Sequence, residues 1–307
     1  MIIPDYQSLM LPVLSAAQAG EVRIGELVDQ LADQIGLSSA ERTQLLPSGK
    51  QTLFANRVHW AKTYLGKAGV IEATKRGHFQ ITERGRQVLA SQPIRIDNAY
   101  LNKFEEFRQF RERSVQDSSQ EKGLAETAFE RSPETPDETM RIAHAQIETA
   151  LAQDMLGRIR TAPPDFFERL IVNLLLTMGY GGTSSDAGRA LGRSGDGGVD
   201  GVIDQDALGL DRVYIQAKRY APGNTIGPGE IRDFFGALDR HKAAKGLFVT
   251  TSSFTSSARE TAEFLSKRIV LIDGEQFSRL MVRYEVGCRV EEVLQIKKLD
   301  EEFFDPA

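Results

Sequence analysis

The sequence predicts two domains of different class: a small helical domain closed by a β-hairpin, then an α/β domain in which helices flank a mixed sheet. Three observations carry this. The chain has 307 residues, about twice the ~150 of a typical domain. Residues 1–95 place apolar positions at helical spacing and then switch to two short alternating runs. From residue 156 to 307, short apolar runs alternate with amphipathic helices, the grammar of a helix-flanked sheet. Between them, residues 96–155 turn acidic and contain SPETPDET, which predicts a partly helical linker with a flexible middle.

In the first domain, Tyr6, Leu9, Leu11, Val13 and Leu14 predict one helix. Ile24, Leu27, Val28, Leu31 and Ile35 predict a second, stopped by Gly36. A third runs over 53–67 with Val58, Ala61 and Leu65 on one face and Gly69 beyond its end. VIEAT and HFQIT then flank Lys75-Arg76-Gly77 as a hairpin, and ERGRQVLAS closes the unit as a helix. Helix, turn, helix and a two-stranded wing make a DNA-docking plan in which the third helix enters the major groove and the wing tip meets phosphate. Arg57 and Lys62 on the helix, with Lys75 and Arg76 at the tip, fall where that plan needs cations. His59 and Trp60 are expected in the hydrophobic seam of the same helix. The competing reading is a protein-interaction module whose charges serve only solvation.

The formal net charge of −5 argues against a nucleic-acid binder until its distribution is considered. Residues 42–86 hold nine Lys or Arg against two Asp or Glu, whereas residues 96–150 hold seven against twelve. Binding follows the local field, so a basic reader followed by an acidic connector is compatible with a negative total. No apolar run approaches the ~18 residues of a membrane span. The start, MIIPDYQSLMLPVL, lacks the basic region of a secretory signal, so a cytoplasmic protein is expected. A single cysteine, Cys288, excludes an internal disulfide and a zinc site built from cysteines.

The second domain carries the chemistry. PPDFFERLIVNLLLTMGYGG predicts an amphipathic helix; VDGVI, RVYIQAKR, KGLFVTT and RIVLID predict strands; IRDFFGALDRHKA and SSARETAEFL predict helices. Asp200 stands at the head of the first strand in a glycine-rich run, and Gln216 and Lys218 project from one face near the end of the second. Phosphodiester hydrolysis requires a hard cation on oxygen ligands, a bound water and a cation beside the phosphate. Asp200, the Gln216 side-chain oxygen and the Ala217 main-chain carbonyl can hold the metal. Lys218 can orient the attacking water or stabilise developing charge. Asp196 is the rival of Asp200 but sits earlier in the glycine run. Thr250, Thr251, Ser252 and Ser253 could touch phosphate, but are expected to cap the next helix.

On the residues FFERLIVNLLLTMGYGG, GDGGVDGVI, VYIQAKRY and KGLFVTTSSFTSSARE, the chain resembles the Mrr-type restriction endonucleases of the PD-(D/E)xK nuclease superfamily, and the likeness extends to the winged-helix region. The resemblance implies a restriction-endonuclease-like catalytic fold, a catalytic motif of Asp200, Gln216 and Lys218, and Glu168 as an accessory acid. It also implies Mg²⁺ with no nucleotide cofactor, and methylated duplex DNA as substrate. Gln216 departs from the acidic residue common in the superfamily, which makes the metal site less negative. Two strands must be cut, so a homodimer or larger symmetric assembly is expected. The alternatives are a DNA-binding regulator with an inactive nuclease domain, and a repair or junction-resolving nuclease.

Overall fold

The computed structural model describes residues 3–116, 133–181, 198–206, 209–299 and 303. The chain divides into two compact units, Met1–Ala143 with Ile296–Ala307, and His144–Gln295.

The first unit follows the winged-helix order: α1 (Met10–Ala16), β1 (Val22–Arg23), α2 (Ile24–Ile35), the short α3 (Ser39–Thr43), α4 (Leu53–Lys67), β2 (Ile71–Ala73), β3 (His78–Ile81) and α5 (Glu83–Ala90). Its three strands pair antiparallel in the order β1-β3-β2. Local chemistry sets the boundaries. Gly36 ends α2 in the left-handed region at φ 76°. Ser38 and Glu41 form a capping box on α3, and Thr52 accepts the Ala55 N–H to start α4. Gly85 lies inside α5, where glycine is normally costly, because a Cβ there would come within 2.1 Å of the Val70 carbonyl. The core gathers around Tyr64, whose ring makes edge contacts with Tyr6, Trp60, Phe107 and Phe110.

Two expectations change here. The segment expected as linker contributes to this core: α6 (Asn98–Leu101) and α7 (Glu105–Gln116) follow α5, and Ile96, Leu101 and Phe107 are buried in the same cluster as Tyr64. Next comes α8 (Pro136–Thr161), whose first turn is held by α4. Asn56 and Trp60 both donate to Asp137 Oδ2, at 3.0 and 2.9 Å, while Thr135 donates to Asn56 at 2.9 Å.

Arg57 belongs to the same clamp, which corrects its assignment as a DNA contact. Its guanidinium donates to both carboxylate oxygens of Glu138, at 2.7 and 3.3 Å, and to the carbonyls of Ile3 and Pro4. The two side chains are only 14% and 11% exposed. In sequence, a basic residue on a helix looks the same whether it faces solvent or a buried carboxylate.

The second unit contains the C-terminal part of α8, then α9 (Pro164–Thr177), β4 (Gly201–Asp204), β5 (Arg212–Lys218), α10 (Pro228–Arg240), β6 (Lys245–Thr250), α11 (Ser256–Phe264), β7 (Arg268–Ile272) and α12 (Gly274–Arg283). The sheet order is β4-β5-β6-β7, with β4 antiparallel to β5 and the other pairs parallel. It is the mixed, helix-flanked sheet that the sequence predicts. One face packs with Met155 and Ile159 of α8, Phe167 and Ile171 of α9, and Phe277 and Met281 of α12. The other packs with Ile231 and Phe234 of α10 and Ala258 of α11. Among the described residues no helix is long and apolar enough to cross a membrane.

Breaking one partner of a shielded ion pair strands the other charge. Arg57→Ala is therefore expected to destabilise the first unit by about 3 kcal/mol, measured by urea denaturation. Lys62→Ala should shift the midpoint little; equal losses from both would mean that the clamp contributes nothing special.

Candidate active site

β5 outruns its neighbour. The last β4–β5 partners are Gly201 and Ile215, whereas β5 continues to Lys218 alongside β6. The main-chain groups of Ala217 on the β4 side are thus left without a strand partner. The N–H is taken by Asp200, whose Oδ2 accepts it at 2.7 Å. The same oxygen accepts the Gln216 side-chain N–H, and the Asp200 N–H donates to the Ile215 carbonyl at 2.8 Å. These bonds fix the carboxylate against the open end of β5. Its Oδ1 has no hydrogen bond among the described residues. In a strand, the N–H and C=O of one residue leave toward the same edge. The Ala217 carbonyl therefore leaves on the Asp200 side as well.

Alternation decides the faces. Ile215 and Ala217 pack into the cluster beneath α8, α9 and α12, and Tyr214 into the opposite cluster. Gln216, only 6% exposed, and Lys218 share the Tyr214 face. Glu168 rides on α9, half-buried. Burial raises its pKa above the ordinary carboxylate range, and the nearby negative charges of Asp200 and Asp165 raise it further. The structure thus brings Asp200, Gln216 and the end of β5 together, with Glu168 near enough for the charge of Asp200 to act on it. Asp196 lies outside the described residues.

This donor set suits a hard cation. A carboxylate with a free oxygen, near a second carboxylate whose charge it disfavours, gains from a nearby cation. Among the described residues no three His, Cys, Asp or Glu side chains converge on a common point. The remaining ligands would therefore be the Gln216 amide oxygen and the Ala217 carbonyl. Gln216 turns its NH₂ toward Asp200, so ligation requires its amide to rotate about the last side-chain bond.

Sequence reasoning missed what holds Lys218. Thr250, fully buried, donates from Oγ1 to the Lys218 carbonyl at 2.8 Å, and the Thr251 N–H donates to the same oxygen at 3.2 Å. Thr251 Oγ1 also accepts from the Tyr220 N–H and donates to the Tyr220 carbonyl. Neither threonine caps the next helix; Thr255 does, accepting the Ala258 N–H. Arg160 donates twice to the Thr251 carbonyl, at 3.0 and 2.7 Å, and Arg219 donates to the Arg160 carbonyl. The paired hydroxyls following KGLFV were the available signal, but their use depends on the parallel register of Lys218 with Thr250.

Comparison with known proteins decides the family. Residues 159–281 match the model of a restriction endonuclease domain, Mrr_cat, and residues 6–91 match the Mrr N-terminal domain. The Type IV methyl-directed restriction enzyme EcoKMrr of Escherichia coli (strain K12) is 34% identical over 310 residues, covering 99% of this chain and 100% of its own. This chain belongs to the Mrr family of restriction endonucleases. Two solved structures overlap more loosely. MspJI restriction endonuclease in complex with an oligonucleotide is 22% identical at a TM-score of 0.34, over 54% of this chain and 34% of its own. The DNA modification-dependent restriction endonuclease AspBHI is 20% identical at a TM-score of 0.37, over 45% and 37%. Likenesses that loose add nothing to the Mrr assignment.

Because Thr250 satisfies the Lys218 carbonyl, Thr250→Val is expected to cost the second unit about 1 kcal/mol or more, read from urea denaturation. Thr250→Ser retains the hydroxyl and should lose much less. Equal losses from the two variants would assign the effect to packing.

Proposed function

We propose that this chain cleaves duplex DNA carrying methylated bases, hydrolysing phosphodiester bonds with Mg²⁺ at Glu168, Asp200, Gln216 and Lys218. The observation that carries the reading is the Asp200 carboxylate, anchored by Gln216 and Ala217 at the unpaired end of β5, with Lys218 on the face of Gln216. Membership of a restriction endonuclease family supports the reaction class, and the printed name of the Escherichia coli relative supports the methylated substrate. Asp200, Gln216 and the Ala217 carbonyl hold the metal, and Glu168 adds a second carboxylate. Bound there, Mg²⁺ supplies electrostatic stabilisation of charge on the phosphate and lowers the pKa of its water. Lys218 sits on a strand end that Thr250 and Thr251 keep from fraying. From there its ammonium orients the attacking water and faces the charge that develops on the phosphate. No nucleotide is needed, because water attacks a phosphodiester directly.

DNA is held by the first unit. Lys75 and Arg76 stand exposed on the wing, and Lys62 is half-buried on α4. Lys75 pairs with Glu21 at 2.8 Å, a surface bond weak enough to be exchanged for a phosphate contact. Scission of both strands requires two nuclease sites, so the working form is a homodimer or larger.

Asp200→Asn removes a metal carboxylate and is expected to lower cleavage of methylated plasmid by at least ~10². Gln216→Glu keeps the oxygen, adds charge and should still cut at some Mg²⁺ concentration. EDTA should abolish wild-type cleavage, and wild-type activity from Asp200→Asn would remove Asp200 from the metal. In a separate measurement, Lys75→Ala with Arg76→Ala should weaken binding to every DNA sequence. It should also reduce the magnitude of the log–log salt slope by about 2, one for each lost phosphate contact. An unchanged slope would place the phosphate contacts elsewhere.

A further inference from the structure

With Arg57 engaged by Glu138, the face of α4 that remains open is defined by other residues. Phe54, Val58, Ala61 and Leu65 point into the core, and Asn56, Arg57 and Trp60 hold the start of α8. At 100° per residue, Arg57 lies about 160° from His59 around the helix. His59, Thr63 and Gly66 are exposed at successive turns of the opposite side, flanked by half-buried Ala55 and Lys62. His59 thus presents exposed surface, against its expected place in the hydrophobic seam, while Trp60 does pack inward on Tyr64. Partial desolvation of the His59 ring and the nearby charges of Lys62 and Lys298 lower its pKa and favour the neutral imidazole. Lys62 lays its ammonium over the Phe79 ring at 5.9 Å, which holds one cation at the edge of the arc.

We propose that His59 and Thr63 are the base-reading residues of this chain. His59 hydrogen-bonds a base edge in the major groove, and the Thr63 methyl, with Ala55 one turn before His59, packs against a methyl group projecting there. The inference rests on the reading that the first unit binds duplex DNA. Charge favours that occupant: residues 42–86, which include α4 and the wing, carry nine Lys or Arg and two Asp or Glu. The chemistry of the arc fits reading better than anchoring. It offers an imidazole that donates or accepts, the Thr63 hydroxyl oxygen as an acceptor (its proton is donated to the His59 carbonyl at 2.9 Å) and two methyl groups, the functions that discriminate base edges and major-groove methyls. Its cations lie at the margin, as phosphate contacts do. A methyl group in the major groove comes from thymine, 5-methylcytosine or N6-methyladenine, and this arc recognises the shared apolar contact.

Gly66 provides an independent handle. Its φ is not positive, and a Cβ built on it meets nothing within 4 Å, so the fold does not require glycine there. A leucine at this position would fold but project into the space a base pair occupies.

The test is selection by the full-length protein from a pool of random-sequence 30-base-pair duplexes, without Mg²⁺. The pool is synthesised in three forms: unmodified, with 5-methylcytosine, and with N6-methyladenine. Bound duplexes are sequenced, and affinity for the unselected pool is measured by fluorescence anisotropy. Wild type should enrich a preferred base step and one of the two modified forms. His59→Ala should lose about tenfold of the preference at one position. Thr63→Ser, which keeps the hydroxyl, should lose preference for the methyl group. Both should bind the unselected pool as wild type does. Gly66→Leu should reduce binding at preferred sequences and retain wild-type thermal stability. Lys75→Ala with Arg76→Ala should weaken binding to all duplexes and leave the preferences intact. Preferences preserved in both His59→Ala and Thr63→Ser would overturn the assignment, as would a wild type that binds the pool without selecting a base or a methyl. Failure of the wild type to bind any duplex would instead overturn the underlying reading of the first unit.

Discussion

The hydrogen bond from the Ala217 N–H to Asp200 exists because β5 runs past its antiparallel neighbour. A strand end with one unpartnered edge exposes main-chain groups that must be satisfied. Here a carboxylate satisfies one of them, and the same carboxylate is the chief acidic group of the site. Shortening β5 would remove the anchor, and lengthening β4 would replace it with a ladder bond and displace Asp200. The remaining features support this mismatch. β6 keeps the other edge of β5 paired through Lys218 and Thr250, and the threonine hydroxyls extend the pairing where the strands separate. α9 then brings Glu168 close enough for its titration to respond to Asp200.

The two units divide their polar chemistry differently. In the first, the most shielded cation is structural. Arg57 spends its guanidinium on Glu138 and two main-chain carbonyls, which commits one side of α4 to protein and leaves the other exposed. In the second, Arg160 and Arg219 bond the main-chain carbonyls of Thr251 and Arg160, while Lys218 has no ion pair among the described residues. Counting positive residues along the chain gives the sign of a surface but not the task of each charge.

Much of this was legible in the sequence, and the remainder was hidden for physical reasons. The strands of the second unit stood out because VYIQAK and GLFVT are short, β-branched or aromatic runs between helical periods. The winged helix stood out because KRG marks a hairpin tip between two alternating runs. The acid, the amide and the lysine were visible through their spacing and the family resemblance. By contrast, α6 and α7 read as linker because abundant charge masks the apolar spacing of Phe104, Phe107 and Phe110. The clamp on Arg57 joins residues about eighty positions apart, and no local pattern encodes such a pairing. The role of Thr250 likewise depends on strand register, which parallel pairing leaves to tertiary structure. α12, capped by Asp273, carried a helix-start signal that its mixed composition obscured.

The clamp between α4 and α8 also bears on how the protein can be divided. Composition alone suggests cutting after residue 95, where the acidic stretch begins. A fragment ending there would keep Asn56, Arg57 and Trp60 but lose Thr135, Asp137 and Glu138, leaving a shielded guanidinium without its counter-ion and the Trp60 N–H without its acceptor. It would also uncover the aromatic surface now shared with Phe107 and Phe110, an invitation to aggregate. The first unit therefore needs at least the first turn of α8 to keep its clamp.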